Sequence, residues 1–415
     1  MRFLLVLYII LFNIVNSISQ NTLSLGIIDS LFIQNNFFIL SKKYNVDAQK
    51  ALIQQAKLLD NPNIYLEQNI YNSNNQRYFD MSASGEYIFQ FQQLIRTAGK
   101  RNKQIQLAKL NSELSQLEFD ALVSNLIYQM HIIYYQLKFY SKMRDIFQIE
   151  ISELEPLVNQ YENQFQKGNI SLREVFRLRA LLFNLQSIQN EVTEQITDLK
   201  KDLSVFIGKP ITNDISFKSD TIILNNVEQL KINELIDTAL SHRTDYFLVL
   251  KNYDYAKQNY SLQKSLAVPD FQIGYNYDRT GSFILNYSGI SLSMPLPVFN
   301  RNQGNIKYSE FLMKQAETDI KQKERELKQE IISEYEKLLV SKKLYESTQK
   351  EFLKNFDNIK DGMRENFQKR NISIVEYADF FDSYINAVQQ YYNLQIKIFY
   401  HKETLNYLVG KKVIK

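Results

Sequence analysis

Three histidines, His131, His242 and His401, are the only imidazoles in the chain. Any acid–base or metal chemistry would have to be built around them. None has a partner at the spacing of a metal site or a catalytic triad. His131 falls on a helical seam, where it reads as a packed or water-facing residue. The glycine-bearing stretch Gly281–Gly289 lacks the Gly-Lys-Ser/Thr ending of a phosphate loop. There is no cysteine, hence no disulfide and no lipid-bearing thiol. Acidic residues are abundant, but on helical patterns they form solvated faces. Without a nucleophile, base and orienting group in reach of each other, no enzyme is expected. No cofactor or resident metal is expected either, and no Cys, Met or His cluster would select a metal cargo.

Polar chemistry does recur in one place. FQKGNIS at Phe165–Ser171 returns as FQKRNIS at Phe367–Ser373, with one letter changed. Glu174 follows Ser171 by three positions, and Glu376 follows Ser373 likewise. Ser-x-x-Glu is the capping box that opens a helix, so each phrase reads as a turn between two helices. Gly168 suits a left-handed turn that side chains with a Cβ resist. Lys167, Gly168 and Asn169, with Lys369, Arg370 and Asn371, then form exposed tips that face water or another protein.

The elements that carry these tips are also written twice. GIIDSLFIQNNFFIL parallels ELIDTALSHRTDYFL, and NPNIYLEQNIY parallels VPDFQIGYNYD. GEYIFQFQQLIRTAGKRNKQI parallels GISLSMPLPVFNRNQGNIKYS, and SVFIGK parallels NYLVGK. The blocks keep their order at an offset of roughly 200 residues, which marks an internal duplication. Each half reads as a moderate helix, a strand pair, a very long helix, the tip and a return helix. The first half spans 20–209, with strands in 63–94, a long helix over 99–166, the tip at 165–171 and a return helix over 171–206. The second spans 231–415, with strands in 270–297, a long helix over 302–367, the tip at 367–373 and a return helix over 373–409. A mixed connector, 210–230, is expected to give a strand to a small middle domain.

Phe271, Ile273, Tyr275 and Tyr277 alternate with Gln272, Gly274, Asn276 and Asp278, and Tyr87, Phe89 and Phe91 alternate with Ile88, Gln90 and Gln92. That period fits strands with one apolar face, and their expected length of about ten residues suits a tilted membrane strand. Leu107, Leu110, Leu114, Leu117 and Ala121 step by threes and fours, a coiled-coil seam. The second half holds Ile320, Leu327, Ile331, Leu338 and Tyr345 on the same seam. A 99–166 helix is on the order of 100 Å long, and Pro156 is positioned to kink or split it. Pro295 and Pro297 end strand pairing, and Asn300, Arg301, Asn302 and Gly304 turn the chain into the next helix.

Composition bounds the function. Lys and Arg number 49 against 45 Asp and Glu, a net +4, too balanced for a nucleic-acid binder. Only 11 Gly and 6 Pro in 415 residues favour long uninterrupted elements. MRFLLVLYIILFNIV, with Ser17 and Ser19 before Gln20, reads as a signal peptide over 1–19. No second apolar run is long enough for a spanning helix. An exported chain of this kind is periplasmic, secreted or a β-barrel.

Together the duplicated halves, the strand pair leading into a long helix, and the tip Phe165-Gln-Lys-Gly168-Asn-Ile-Ser171 resemble the TolC-like family of outer-membrane factors. The likeness covers essentially the whole chain after the signal. PLPVFNRNQGNI at Pro295–Ile306 is similar to the strand-to-helix signature of the heavy-metal, CzcC-like branch. The resemblance implies a mainly α fold with β: a homotrimer in which four strands per chain close a 12-stranded outer-membrane barrel. A long periplasmic helical barrel and a small mixed equatorial domain continue it. It implies a passive efflux conduit, surrounded by outer-membrane lipid, working with a periplasmic adaptor at the tips and an inner-membrane pump of the resistance-nodulation-division type. The cargo stays open among metal cations, drugs and secreted peptides. A soluble periplasmic coiled-coil adaptor is the reading from another class. The chain departs from the family pattern at Arg370, where glycine is usual, and at Ile372, where some relatives place a gating arginine. Glu174 and Glu376 stand at the acidic gate position.

Overall fold

The computed structural model describes residues 22–211, 216–217, 227–280, 283–348 and 350–414. The expected signal peptide, and within the connector residues 212–215 and 218–226, lie outside them. The first half runs β1 (Thr22–Leu23), α1 (Leu25–Asn35), α2 (Phe37–Lys57), β2 (Asn63–Gln68), β3 (Tyr71–Asn72), β4 (Arg77–Tyr78), β5 (Tyr87–Ile95), α3 (Lys100–Gln166) and α4 (Leu172–Ile207). The connector gives β6 (Ser216–Phe217) and a 3-10 turn, and the second half runs α5 (Ile232–His242), α6 (Thr244–Leu266), β7 (Phe271–Asp278), β8 (Tyr287–Ser293), α7 (Gln303–Ser347), α8 (Lys350–Gln368) and α9 (Ile374–Val409). Two compact units form, one from residues 22–40, 122–242 and 327–414, the other from 41–121 and 243–326. Each unit draws on both sequence halves.

The second unit holds one antiparallel sheet in the order β2-β5-β7-β8. Its register sorts the side chains into rows. Ile64, Phe91, Tyr275 and Ile290 stand opposite one another across the four strands. The next row is Asn63, Gln92, Gly274 and Ser291, and beyond it come Gln93, Ile273 and Leu292. Alternate rows point to opposite faces. One face is therefore aliphatic and aromatic, and the other is mostly amide, hydroxyl and glycine. The apolar face stays exposed, at Ile64, Leu66, Phe91, Ile273, Tyr275, Ile290 and Leu292.

The strands are shorter than the sequence pattern suggests, at 6, 9, 8 and 7 residues. In the first half the ladder begins at Tyr87, not near Phe79. The intervening residues are taken by a loop wound around Asp80, whose carboxylate accepts from Asn72 Nδ2 (2.9 Å), Asn75 Nδ2 (2.8 Å) and Ser82 N (2.9 Å). Local acceptors of this kind compete with a ladder for backbone donors.

Two further expectations are corrected. Pro156 does not end or split α3, which continues through it for 67 residues. The single helix expected over 302–367 is two helices, interrupted after Ser347. There Ser347 Oγ (2.8 Å) and Thr348 Oγ1 (2.7 Å) both donate to the Leu344 carbonyl, which also takes the Thr348 N–H. Hydroxyls that return to the preceding turn weaken the helix without any proline.

The junctions from sheet to helix differ between the halves. In the first, Arg96–Gly99 is short and tied down: Thr97 N donates to Asp270 (2.7 Å), and Lys100 Nζ meets Asp270 (2.7 Å) and the Val268 carbonyl (2.6 Å). In the second, residues 294–302 separate β8 from α7. Asn302 takes φ +59, donates to the Gln263 carbonyl (2.8 Å) and accepts from Asn305 (2.7 Å). Pro295, Pro297, Asn300 and Arg301 lie in this linker, and Gly304 sits just inside α7.

The first unit is helical. A core of Val227, Leu235, Ile236, Ala239, Ile331, Leu338, Ile398 and Leu405 joins α5, α7 and α9. Buried residues of α4 recur at Val175, Leu178, Leu185, Val192, Ile196, Leu203 and Ile207, the spacing of a coiled-coil seam. β1 pairs in parallel with β6, the connector's strand. Near the end of the chain, Val413 and Ile414 donate their N–H groups to Asn406 Oδ1 (2.8 and 3.0 Å).

Candidate functional site: the paired helical tips

The repeated phrase builds the same turn twice. After α3, Asn169 N donates to the Gln164 carbonyl (2.9 Å) and Gly168 N to the Phe165 carbonyl (2.8 Å). After α8, Asn371 N donates to Asn366 O (2.9 Å) and Arg370 N to Phe367 O (3.0 Å). These are two Schellman motifs, with Gly168 (φ +76) and Arg370 (φ +59) at the left-handed position. Each Asn side chain reinforces its motif, Asn169 to Gln164 (2.6 Å) and Asn371 to Asn366 (3.1 Å).

Two residues further on, the next helix opens in a capping box. The Ser171 N–H donates to the Glu174 carboxylate (3.0 Å). Ser373 gives its N–H (2.7 Å) and its hydroxyl (2.9 Å) to Glu376, and the hydroxyl accepts from Glu376 N. These bonds hold the Glu376 carboxyl below its ordinary value. Lys167, Gly168, Asn169, Lys369, Arg370 and Asn371 are all exposed. The tips thus share one backbone and differ in what they offer to solvent: bare glycine in one, a guanidinium in the other.

Arg370 is strained, because a Cβ in the left-handed region costs about 1 kcal/mol. Nothing lies within 4 Å of a Cβ added at Gly168, so that position excludes side chains by conformation and not by crowding. Arg370→Gly is therefore expected to stabilise its tip by about 1 kcal/mol. Slower hydrogen exchange over 366–374 would register the gain, and faster exchange would contradict it.

The second tip is the better packed. Phe367 is buried and stacks on Tyr161 (5.3 Å) and Tyr377 (4.6 Å), whereas its counterpart Phe165 is exposed. Above this stack Lys360 of α8 reaches Glu150 of α3 at 2.6 Å, both buried, and Arg364 pairs with Glu153. The Tyr384 hydroxyl also reaches Glu150 (3.3 Å). Burial pushes the Glu150 carboxyl up, against the pull of Lys360.

A second polar cluster lies on His131 of α3, whose ring bridges Asp29 of α1 (2.9 Å) and Glu403 of α9 (3.2 Å). The sequence reading gave His131 no partner. The two carboxylates stand 102 and 272 residues away, beyond the reach of any local spacing rule. Burial opposes the charged ring, but the two carboxylates outweigh it and hold its pKa at about 9. The imidazolium is thus a cross-brace and, being protonated at neutral pH, no general base. His401 bonds Glu334 (2.7 Å) in the same unit.

A pKa raised from about 6.5 to about 9 stabilises the folded state on the order of 3 kcal/mol, fully present below pH 6.5. It is lost as pH rises through 9. His131→Gln is expected to remove this alkaline dependence of α1 protection in hydrogen exchange while lowering stability at neutral pH. An unchanged pH profile would show that the brace carries no charge.

Among the described residues, no group of three His, Cys, Asp or Glu is placed to hold a metal ion. No described helix is long and apolar enough to cross a membrane, a test that does not bear on strands.

Residues 30–209 match the outer membrane efflux protein family. No curated protein matches the chain. Among solved structures, the Campylobacter jejuni CmeC outer membrane channel superposes with TM-score 0.75 at 15% identity, over 96% of this chain and 92% of that one. The Vibrio cholerae outer membrane protein VceC gives 0.74 at 14% identity, over 93% and 96%. The open state of the Neisseria gonorrhoeae MtrE outer membrane channel gives 0.72 at 12% identity, over 94% and 89%. The chain therefore has the fold of these outer-membrane channels, and its first half carries the match to the outer membrane efflux protein family.

Proposed function

We propose that the chain is one third of a trimeric outer-membrane channel, the passive exit duct of a tripartite export system. The observation that carries this reading is the sheet. It has four strands, one exposed apolar face, one polar face, and two open edges at β2 and β8. An open edge in lipid leaves unpaired donors and acceptors, each costing several kcal/mol. Closure with further copies removes both edges. All three pairings are antiparallel, so β8 meets β2 of a neighbour with strand direction still alternating. Twelve strands then enclose the polar face as a lumen lined by Gln90, Gln92, Asn276 and Ser291, with the carboxylates of Glu67 and Asp278 in one further row.

On this reading the helices extend into the periplasm and the six tips present Lys167, Gly168 and Asn169, alternating with Lys369, Arg370 and Asn371, to a periplasmic adaptor. The strain at Arg370 supports a role for its side chain outside its own fold. Energy comes from an inner-membrane pump, which we place in the resistance-nodulation-division class. PLPVFNRNQG favours heavy-metal cations as cargo, with selection left to the pump. Export uses the N-terminal signal, and no lipid is attached.

The test is in-cell cross-linking from cysteines at Asn169 and Asn371, beside an efflux assay. Cross-links to an adaptor are expected from both. Cross-links from Ser73 and none from the tips would invert the orientation. Release of the protein from membranes by carbonate washing would favour the soluble hairpin reading instead.

A further inference from the structure

We propose that the linker Met294–Phe299 is seated in lipid, as an apolar collar at the end of the barrel where the helices begin. The proposal rests on the membrane reading of the sheet. The first observation is continuity. On β8 the apolar face is carried by Ile290 (85% exposed) and Leu292 (72%), and the ladder ends at the pair Gln272 and Ser293. The apolar positions do not end there. Met294, Leu296 (72%) and Val298 follow at the same alternate spacing, and Phe299 is 92% exposed.

The second observation is height. The seven-pair ladder of β7 and β8 covers about 24 Å along the strand. At a tilt of about 40° it rises roughly 18 Å, short of the ~25 Å apolar band of an outer-membrane barrel. Residues beyond the ladder must supply the difference, and those after β8 have the composition to do it.

The third observation is backbone chemistry. Irregular chain is costly in lipid because of its unpaired N–H groups. Pro295 and Pro297 have none, and the Val298 N–H is bonded to the Leu296 carbonyl (2.9 Å). Polar residues then resume at Asn300 and Arg301, and an arginine at that depth can extend its head to the interface. Asn302 pins the end of the segment to Gln263. The equivalent junction in the first half, Arg96–Gly99, is short, polar and hydrogen-bonded. A sheet-to-helix turn therefore does not in itself require an apolar linker.

The chain contains no tryptophan, so each introduced indole reports from one place. The experiment compares Ile290→Trp, Leu296→Trp, Phe299→Trp and Gln92→Trp in full-length protein reconstituted into phosphatidylcholine vesicles brominated either near the acyl chain ends or near the headgroups. Ile290→Trp should be quenched most by deep bromines. Leu296→Trp and Phe299→Trp should lose most of their emission to shallow bromines, and Gln92→Trp should be unaffected by either. If 296 and 299 behave like Gln92→Trp while 290 is quenched, the linker is covered by a second copy or lies in water, and the collar is refuted with the membrane reading intact. If 290 is also unquenched, the membrane reading itself fails and takes the collar with it. Phe299→Trp exchanges one exposed ring for another, so loss of folding does not confound the result.

Discussion

Arginine at Ile273 is expected to abolish heat-resistant trimer in the outer membrane, whereas arginine at the adjacent Gln272 leaves it intact. Ile273 stands in a row with Leu292 on the exposed apolar face, and Gln272 stands opposite Leu94 and Ser293 on the other. A cation near the middle of the bilayer costs about 2–4 kcal/mol per chain, and a lumen-facing cation little. Three chains share one barrel on the proposed reading, so the cost is paid at three places in one assembly. Phe271→Arg, nearer the end of β7, should be milder because the cost falls toward the interface. Equal trimer levels for Ile273→Arg and Gln272→Arg would show that the apolar face does not meet lipid.

The second large effect is expected at Lys360. Lys360→Met should loosen α8 by about 3–5 kcal/mol, because it strands a buried carboxylate. Among the described residues, Glu150 would be left with the bond from Tyr384. Removing both charges, in Lys360→Met with Glu150→Leu, should recover most of the loss, since an apolar pair of similar volume carries no desolvation cost. Hydrogen exchange across Lys350–Gln368 provides the measurement. The single variant should also improve as pH falls. Glu150 has its carboxyl pushed up by burial, so the folded state takes up the proton more readily than the unfolded one and gains stability on acidification. If the single and double variants exchange alike at every pH, the pair contributes nothing to holding α8.

What the sequence made legible follows from how local each interaction is. The tips were readable because Schellman turns and capping boxes are written within seven letters, and both copies of FQKxNIS fold into the same bonds. The strands were readable as alternation, since Tyr275 and Ile273 declare a face before any partner is known. Their ends were not, because a ladder stops where its partner stops, and residues 79–86 were captured by the Asp80 loop. The break at Ser347 escaped notice for a different reason. Two hydroxyls competing for Leu344 leave no proline or glycine to mark the place. Pro156 misled in the opposite direction, since α3 runs on through it despite the missing donor. The brace at His131 and the pair at Lys360 were invisible, as their partners lie in helices far along the chain.

The His131 brace also sets an order of events. Its ring touches Asp29, close to where the described chain begins, and Glu403, near its end. On the proposed reading the chain is exported N-terminus first, and α1 is outside with α3 long before α9. A half-made brace offers one carboxylate to a ring whose burial disfavours charge, and closing loops of that length costs entropy before any contact is gained. The brace is therefore complete only once the last helix has been delivered. A chain whose two ends are joined last is one that carrier proteins can hold for longer, and that can be handed to the membrane as strands instead of as a finished object.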